Sequence, residues 1–353
     1  MQPTPHKREK TYIPAFDFVP ETGHAAPIGH SLYWLRMPLK FELNHINLWL
    51  AESDTEFAIV DTGFNTPDTI AAWEGIFAEH FQRKPVDAIA ITHFHPDHFG
   101  LAGWLAEKTG QTPRMTKGEF AMAQSLCPAD PSTLETPYRA YFMQAGVSGA
   151  LLRDLLDKRL LYRKIISTPP TRISPYGDGD RVKLGGKEWE VITGNGHCPE
   201  HACLYNAVDH VFISGDIVLP DISPNISFFP GNPPEHDPVA DYLRTLDKML
   251  QRVPDDVLVL PSHGVPFKGL HKRIAELKEH HNRRFAKLRD VMKTAGPQTA
   301  LGLMEGLFAH RTLKPGDLFF ALGETLAHLV HEEKAGRITA QKNAAGQVIY
   351  SLI

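Results

Sequence analysis

The chain of 353 residues lacks the features that mark several specialised classes of protein. Its three cysteines, Cys127, Cys198 and Cys203, are too few and odd in number for a disulfide framework, which favours a reducing compartment. A formal net charge of -4 gives no global electrostatic reason to bind nucleic acid or an anionic membrane. No apolar run is long enough to span a membrane, and the opening MQPTPHKREK lacks the apolar core of a secretory signal. We therefore expect a cytoplasmic protein that has no membrane partner.

The length suits two average domains, or one large domain with an appendage. Residues 1–30 are rich in proline, glycine and histidine without a clear period, and we expect them to form an arm on the surface. Residues 31–268 carry two blocks of strand-like apolar runs, each with helical segments, which favours a layered α/β sandwich. Within this region, residues 111–172 are mostly helical in pattern and form a candidate insertion.

The character of the sequence changes after residue 268. Residues 269–293 predict one long amphipathic linker helix, because apolar side chains recur at spacings of three and four. Residues 294–353 predict two helices and a β-hairpin, an order that resembles a winged-helix unit. This unit has five basic and five acidic residues, so we expect no specific DNA binding, and instead a packing role or homodimer contact.

The heptapeptide THFHPDH, which follows the apolar run AIAI, concentrates three imidazoles and a carboxylate. His93 and His95 are two residues apart at a predicted strand end, so their side chains point to the same side. Asp97 and His98 follow Pro96, where the chain must turn, and can therefore approach the same point from another direction. A solvated turn that is rich in histidine is the alternative, but this pattern after an apolar strand favours half of a metal site.

Three further residues could complete such a site. His197, Asp216 and His263 each follow an apolar strand and precede a turn. Each alone is compatible with an ordinary loop residue, but their shared placement indicates ligands that meet the heptapeptide. Histidine and aspartate ligands accept zinc, iron and manganese.

The pattern HxHxDH followed by His197, Asp216 and His263 in this order resembles the metallo-β-lactamase superfamily. Asp61 in AIVDTG matches an early acidic motif of that superfamily, and the likeness spans roughly residues 30–268. The resemblance implies an αββα sandwich with metals at one edge. The C-terminal region is similar to the lactamase-beta-2-like branch, in which a winged-helix-like domain follows the catalytic domain.

The resemblance also implies two divalent metal ions, which we expect to be Zn²⁺, with iron or manganese as alternatives. Asp216 would bridge them, and a metal-bridging hydroxide would be the nucleophile. Asp97 and Asp61 are the candidate catalytic residues; Asp61 would hydrogen-bond a ligand, or be a simple turn residue. The implied ligands are His93, His95 and His197 for one ion and Asp97, His98 and His263 for the other.

We expect a hydrolase acting on an ester, thioester, lactone or similar small acyl substrate. The β-lactam-hydrolysing branch often has cysteine where this chain has Asp216, which disfavours a true β-lactamase. One alternative is a metal-dependent nuclease or phosphodiesterase of the same fold. Another is a winged-helix nucleic-acid-binding protein with a vestigial hydrolase domain, which the complete ligand set disfavours. Tyr141 and Phe142 of the 111–172 insertion are the candidate substrate-binding residues of a lid over the metals.

Overall fold

Two seven-stranded sheets form the centre of the protein. The computed structural model describes residues 12–39, 43–82, 84–158, 160–309, 312–314 and 316–353. The strands, in chain order, are β1 (Ile13–Pro14), β2 (Ala25–Gly29), β3 (Leu32–Pro38), β4 (His45–Glu52), β5 (Phe57–Val60), β6 (Val86–Ala90), β7 (Arg114–Met115), β8 (Ser174–Pro175), β9 (Arg181–Leu184), β10 (Lys187–Gly194), β11 (His201–Asn206), β12 (Val211–Gly215), β13 (Leu258–Pro261), β14 (Phe267–Lys268), β15 (Ile338–Lys342) and β16 (Val348–Leu352).

The N-terminal sheet has the order β2-β3-β4-β5-β6-β7-β8, and the C-terminal sheet has the order β1-β14-β13-β12-β11-β10-β9. Strands β5 to β8 run parallel, as do β12 and β13. Strand β11 is antiparallel to both β10 and β12, so β10, β12 and β13 all end at one edge of the C-terminal sheet. The loops after these three strands can therefore converge there.

The two sheets pack face to face through one buried apolar layer. Alternation along β4 explains why one strand serves two cores: Trp49 faces the layer between the sheets, whereas Leu48 and Leu50 face the opposite side. The inner layer also contains Trp34 from β3 and Trp189 from β10, both fully buried. Because the strands carry apolar residues on both faces, each sheet packs against the other sheet on one face and must be covered by helices on the other.

The helices cover the two outer faces of the sandwich. On the N-terminal sheet pack α1 (Pro67–Ile76) and α3 (Ala102–Thr109), and on the C-terminal sheet pack α8 (Pro238–Arg252) and α9 (Leu270–Ala295). This arrangement confirms the predicted αββα order. None of the helices within the described ranges is long and apolar enough to cross a membrane. They are α1 (Pro67–Ile76, extended by a π-helical turn at Phe77–Phe81), α2 (Pro96–Phe99), α3 (Ala102–Thr109), α4 (Lys117–Ser125), α5 (Glu135–Gln144, after a 3-10 turn at Pro131–Leu134), α6 (Gly149–Lys158), α7 (Leu161–Lys164), α8 (Pro238–Arg252), α9 (Leu270–Ala295), α10 (Ala300–Leu307) and α11 (Leu318–Lys334).

The region expected as a surface arm contributes to both sheets. Residues 1–11 lie outside the described residues, but β1 pairs with β14 and β2 pairs with β3. Tyr12 and Ile28 are buried, because they extend the apolar clusters of the two sheets. Short edge strands with proline and glycine carry too little periodicity for detection in the sequence.

Residues 181–194 form a hairpin of β9 and β10. Gly185 and Gly186 make the turn with φ angles of 57° and 73°, which lie in the left-handed region. A Cβ atom on Gly185 would lie 2.5 Å from the backbone of Ala51, so the close approach of β4 also requires glycine there.

The insertion leaves the N-terminal sheet after β7 and returns at β8, and these two strands pair in parallel. Its helices α5 and α6 pack against α9, α10 and α11 in one apolar cluster. Leu301 N donates a hydrogen bond to Ala145 O at 2.9 Å, which joins the insertion to the C-terminal unit directly. This unit consists of helices followed by the β15–β16 hairpin.

Candidate metal centre

All seven candidate ligands lie in loops or a short helix that follow the ends of strands. The heptapeptide follows β6, and its second half forms α2, which begins at Pro96 because proline suits the first helical position. His197 follows β10, Asp216 follows β12 and His263 follows β13. The packed sheets therefore bring together residues that are far apart in the sequence.

The ligand atoms form two groups, and within each group they lie within 4.8 Å of one another. The first subsite consists of His93, His95, His197 and Asp216. His93 Nε2 lies 2.8 Å from His95 Nδ1 and 3.3 Å from His197 Nε2, and His197 Nε2 lies 3.6 Å from Asp216 Oδ2. Three imidazole nitrogens and one carboxylate oxygen thus converge on a common point.

The second subsite consists of Asp97, His98 and His263. Asp97 Oδ2 lies 3.3 Å from His263 Nε2 and 3.7 Å from His98 Nε2. Asp216 also reaches this group, because Oδ1 lies 3.6 Å from His98 Nε2 and Oδ2 lies 3.6 Å from His263 Nε2. One carboxylate therefore stands between the two subsites.

The residues present fit metal ions. His98 Nε2 and Asp216 Oδ1 are buried and have no hydrogen-bond partner. Buried polar atoms without a partner cost free energy, and cations between them would satisfy both atoms. Imidazole and carboxylate ligands suit borderline divalent ions such as zinc.

Hydrogen bonds on the far side of three ligand rings fix their orientation. His197 Nδ1 donates to Asn225 O at 2.8 Å, and His263 Nδ1 donates to His45 O at 3.0 Å. Because each carbonyl accepts a hydrogen bond from Nδ1–H, the Nε2 lone pair of each ring faces the site. The sequence offered no signal for these acceptors, since any residue provides a backbone carbonyl.

Asp61 orients the third ring. Its Oδ2 atom accepts a hydrogen bond from His98 Nδ1 at 2.8 Å, while Oδ1 accepts one from Thr92 N at 2.7 Å. Asp61 is buried and its two oxygens are engaged by His98 and Thr92. Asp61 thus makes the hydrogen bond to a candidate ligand that we expected, and through it this residue can orient His98.

His201 positions Asp216, and our reasoning from the sequence did not identify it. Asp216 N donates to His201 Nε2 at 3.1 Å. Gly215 has a φ of 51°, and a Cβ atom there would lie 2.4 Å from the His201 ring, so the residue before Asp216 must be glycine. The neighbourhood of His201 in GHCPEH was the available signal.

The electrostatics of the two subsites differ. Burial lowers the pKa of His95 to about 3, and the neighbouring His197 adds to this effect. At His263, burial opposes the charged form, but the carboxylates of Asp216 and Asp97 outweigh it and raise the pKa to about 10. A cation at the second subsite would therefore displace a proton from His263, whereas the ring of His95 is already neutral.

A cleft of about 310 Å³ adjoins the first subsite at His197. Phe94, Met122 and Phe229 give it an apolar wall. Of these, Met122 belongs to helix α4 of the insertion, so the insertion does reach the site. The remaining lining residues are Asn195, Gly196, Cys198, Pro199, Ser227, Asn232, His236 and Asp241.

The two candidate substrate-binding residues of the insertion do not line this cleft. Phe142 is fully buried in the cluster shared with the C-terminal unit, where it contacts the aromatic ring of Phe319. Tyr141 donates its hydroxyl hydrogen to Phe228 O at 2.8 Å. Phe142 therefore does not contact substrate, because its helix, α5, turns this side chain toward α9 and α11.

Two family models match the chain. Residues 42–263 match the Metallo-beta-lactamase superfamily, and residues 286–353 match the family described as Metallo-beta-lactamase-like, C-terminal domain. The chain therefore belongs to the metallo-β-lactamase superfamily, and it is an enzyme of the metallo-hydrolase class. This confirms the family, the fold and the hydrolase class that the sequence motifs predicted.

Two solved structures resemble the chain along most of its length. A beta-lactamase domain protein from Burkholderia ambifaria is 37% identical with a TM-score of 0.85, over 97% of this chain and 98% of that one. A metallo-beta-lactamase family protein from Thermus thermophilus is 28% identical with a TM-score of 0.77, over 92% of this chain and 99% of that one.

Two named proteins are more distant relatives. The chain is 23% identical to the probable metallo-hydrolase YqjP of Bacillus subtilis, over 87% of this chain and 93% of that protein. It is also 23% identical to the acyl-coenzyme A thioesterase MBLAC2 of Homo sapiens, over 67% of this chain and 79% of that protein.

Proposed function

We propose that the protein is a hydrolase that uses two divalent metal ions, most simply Zn²⁺, to cleave a thioester or another activated acyl bond. The observation that carries this proposal is the position of Asp216 between the two subsites, with a buried oxygen that has no hydrogen-bond partner. A carboxylate in that position can be shared by two cations, and it is costly in a protein that binds none.

Six side chains would divide into two sets, one for each ion. When bound, two divalent ions would activate water as a nucleophile and stabilise negative charge on the oxygen of a scissile carbonyl. His93, His95 and His197 would hold one ion, while Asp97, His98 and His263 would hold the other. We assign Asp97 to ligation, because its Oδ2 atom lies 3.3 Å from His263 Nε2.

The cleft supports an acyl substrate. Its apolar wall of Phe94, Met122 and Phe229 shares the cleft with His197, so an acyl chain on this wall would lie beside a candidate ligand of the first subsite. A thiol has a pKa near 8.5 and leaves as a thiolate without a proton donor, whereas an amine requires one. The acyl-coenzyme A thioesterase relative, at 23% identity, supports the same substrate class.

The nucleic-acid alternatives have less support. Residues 268–293 carry nine basic residues against three acidic ones. Most of the cations that the structure describes on α9 form ion pairs. Arg284 lies 2.9 Å from Glu324, and Arg289 lies 2.9 Å from Glu332. Paired cations release few counterions on binding a phosphate backbone. We therefore propose that the C-terminal unit has a packing role and binds no specific DNA.

A substrate panel tests the proposal. The protein is loaded with Zn²⁺ and assayed on a thioester, a carboxylic ester, a lactone and a phosphodiester, before and after treatment with a chelator. We expect acyl hydrolysis, greatest for the thioester, that chelation abolishes and added Zn²⁺ restores. Fully loaded protein that cleaves the phosphodiester in preference, or that leaves all acyl substrates intact, would contradict it.

A further inference from the structure

The insertion holds the backbone of the residue between two metal ligands. Phe94, which separates His93 from His95, donates its N–H to Glu119 Oε2 at 2.9 Å. Its carbonyl accepts a hydrogen bond from the hydroxyl of Tyr162 at 2.7 Å. Glu119 lies on α4 and Tyr162 on α7, so two insertion helices fix both polar groups of this residue.

The carboxylate of Glu119 also reaches the loop that carries His197. Its Oε1 atom accepts a hydrogen bond from Glu200 N at 2.6 Å. In the opposite direction, the side chain of Glu200 accepts one from Gly118 N at 2.8 Å, and its carbonyl accepts one from Thr116 Oγ1 at 2.8 Å. One side chain thus spans the two loops that supply the histidines of the first subsite.

This contact is not needed by helix α4 itself. Thr116 already caps the helix, since its hydroxyl oxygen accepts a hydrogen bond from the backbone N–H of Glu119. The side chain of Glu119 is fully buried, and burial of a carboxylate is unfavourable unless hydrogen bonds compensate for the lost water. The backbone N–H groups of Phe94 and Glu200 offset part of that cost, and both belong to loops that carry candidate ligands.

We propose that Glu119 is a positioning residue of the metal centre, which sets the spacing between the His93–His95 segment and the His197 loop. Tyr162 assists by fixing the other side of Phe94. The inference rests on the metal-dependent function proposed above. It gives the insertion a second role besides lining the cleft. Helix α4, which carries Met122, would also hold the two ligand loops of the first subsite at a fixed distance from each other.

The substitution Glu119→Gln tests this role with little change in volume. An amide has one acceptor oxygen, so either Phe94 N or Glu200 N would face an NH₂ group instead of an oxygen. We expect the ion at His93, His95 and His197 to dissociate about tenfold faster, as is common when a ligand's support is removed. The ion at Asp97, His98 and His263 should dissociate at the wild-type rate.

The measurement is Zn²⁺ release to a chromophoric chelator, followed as two kinetic phases. The phases are assigned with His95→Ala, which removes a ligand of the first subsite, and with His263→Ala, which removes one of the second. Tyr162→Phe deletes only the hydroxyl that donates to Phe94 O, and it should accelerate the same phase. If Glu119→Gln does not fold, the Zn²⁺ release rates of Tyr162→Phe test the inference instead.

Two controls separate positioning from general stability. Glu107→Gln makes the same change at an exposed site on α3 and should change neither phase. Glu332→Gln removes a buried carboxylate that accepts hydrogen bonds from Arg289 and Arg337 in the C-terminal unit. It should lower the unfolding temperature of the metal-free protein and leave both release rates unchanged.

The outcomes distinguish the two proposals. Wild-type protein that binds no Zn²⁺ would overturn the proposed function, and this inference with it. Wild-type protein with two ions, together with Glu119→Gln and Tyr162→Phe variants that release both at wild-type rates, would overturn the inference alone. Equal acceleration of both phases would also overturn it, because the Glu119 side chain accepts from Phe94 N, which lies between two ligands of the first subsite, and from Glu200 N in the loop of His197.

Discussion

Asp61 Oδ2 lies 2.8 Å from His98 Nδ1, although 37 residues separate the two in the sequence. Parallel pairing of β5 with β6 brings them together, because Asp61 directly follows β5 and the heptapeptide follows β6. Asp61 adopts a φ of 62°, which is uncommon for a residue other than glycine. Backbone strain at a buried acid that contacts a ligand indicates a functional constraint.

We predict that Asp61→Asn weakens Zn²⁺ binding at the second subsite by about 10–100-fold. An amide NH₂ at the Oδ2 position would oppose the Nδ1–H of His98, which favours the tautomer with its proton on Nε2, the atom that faces the metal. Competition with a chelator measures the affinity. Asp54→Asn, at an exposed turn, is the control and should bind Zn²⁺ as wild type does. Unchanged affinity in Asp61→Asn would show that His98 does not depend on this contact.

Asp216→Asn should affect both subsites at once, because Asp216 Oδ1 lies 3.6 Å from His98 Nε2 and Asp216 Oδ2 lies 3.6 Å from both His197 Nε2 and His263 Nε2. We expect fewer than two ions per chain by elemental analysis and no measurable hydrolysis. Far-UV circular dichroism should match wild type, since the backbone N–H still donates to His201. A variant that retains two ions and full turnover would exclude a shared role for Asp216.

Reasoning from the sequence found the candidate ligands because polar chemistry and apolar periodicity occur side by side there. The candidate ligands lie in segments that follow apolar strands, a pattern that local sequence can express. Helix α9 was also predicted from its sequence. Its buried face is the one defined by the apolar residues at spacings of three and four. In both cases the signal is local.

The parts that escaped prediction depend on contacts between distant residues. Burial of Phe142 arises from the C-terminal helices, more than a hundred residues away, and nothing in α5 distinguishes that face from a pocket wall. Likewise, Asn225 supports His197 through its backbone carbonyl, which every residue possesses. The edge strands β1 and β2 are defined by their partners in the sheets rather than by their own composition.

The cleft predicts that Met122 limits the size of the acyl group. Met122→Trp should narrow the apolar wall and lower kcat/KM for long acyl thioesters more than for acetyl thioesters. Gln124→Trp adds the same ring at an exposed position on the same helix, and should leave chain-length preference unchanged. If Met122→Trp retains the wild-type ratio of rates across a chain-length series, the acyl chain does not lie against this wall.

Phe142→Ala should destabilise the protein by about 3–5 kcal/mol, because it leaves a cavity in the cluster between insertion and C-terminal unit. The neighbouring Met143 is exposed, so Met143→Ala should change the free energy of unfolding by less than about 0.5 kcal/mol. Urea denaturation measures both. Zn²⁺ content per folded molecule should stay at the wild-type value in each variant. A stable Phe142→Ala protein with altered substrate preference would restore the assignment of this residue to a lid.

A buried histidine pair predicts loss of stability in acid. His328 Nδ1 donates to Glu324 O at 2.8 Å, so its Nε2 atom accepts from His281 Nδ1, 3.1 Å away. His281 Nε2 is buried without a partner, and both rings are therefore neutral. Burial lowers the pKa of His328 to about 4. The charged or titratable groups nearby are His280, Arg284, His331 and Glu332.

A histidine whose folded-state pKa is depressed stabilises the protein fully above its unfolded pKa of about 6.5. That stability is lost progressively as the pH falls from about 6.5 to about 4, since the unfolded chain binds the extra proton. For His328 the loss between pH 7 and pH 5 is about 2 kcal/mol. We therefore expect His328→Leu, although less stable at pH 7, to lose less stability over this interval than wild type.

Urea denaturation of the metal-free protein at pH 7 and pH 5 measures this difference. The histidines of the metal centre titrate in both proteins, so their contribution cancels in the comparison. Leu329→Ala destabilises the same helix without removing a titratable group, so it should lose as much stability as wild type over this interval. Equal losses in wild type and His328→Leu would show that the α9–α11 pair does not remain neutral in the folded protein, and that acid sensitivity has its origin elsewhere.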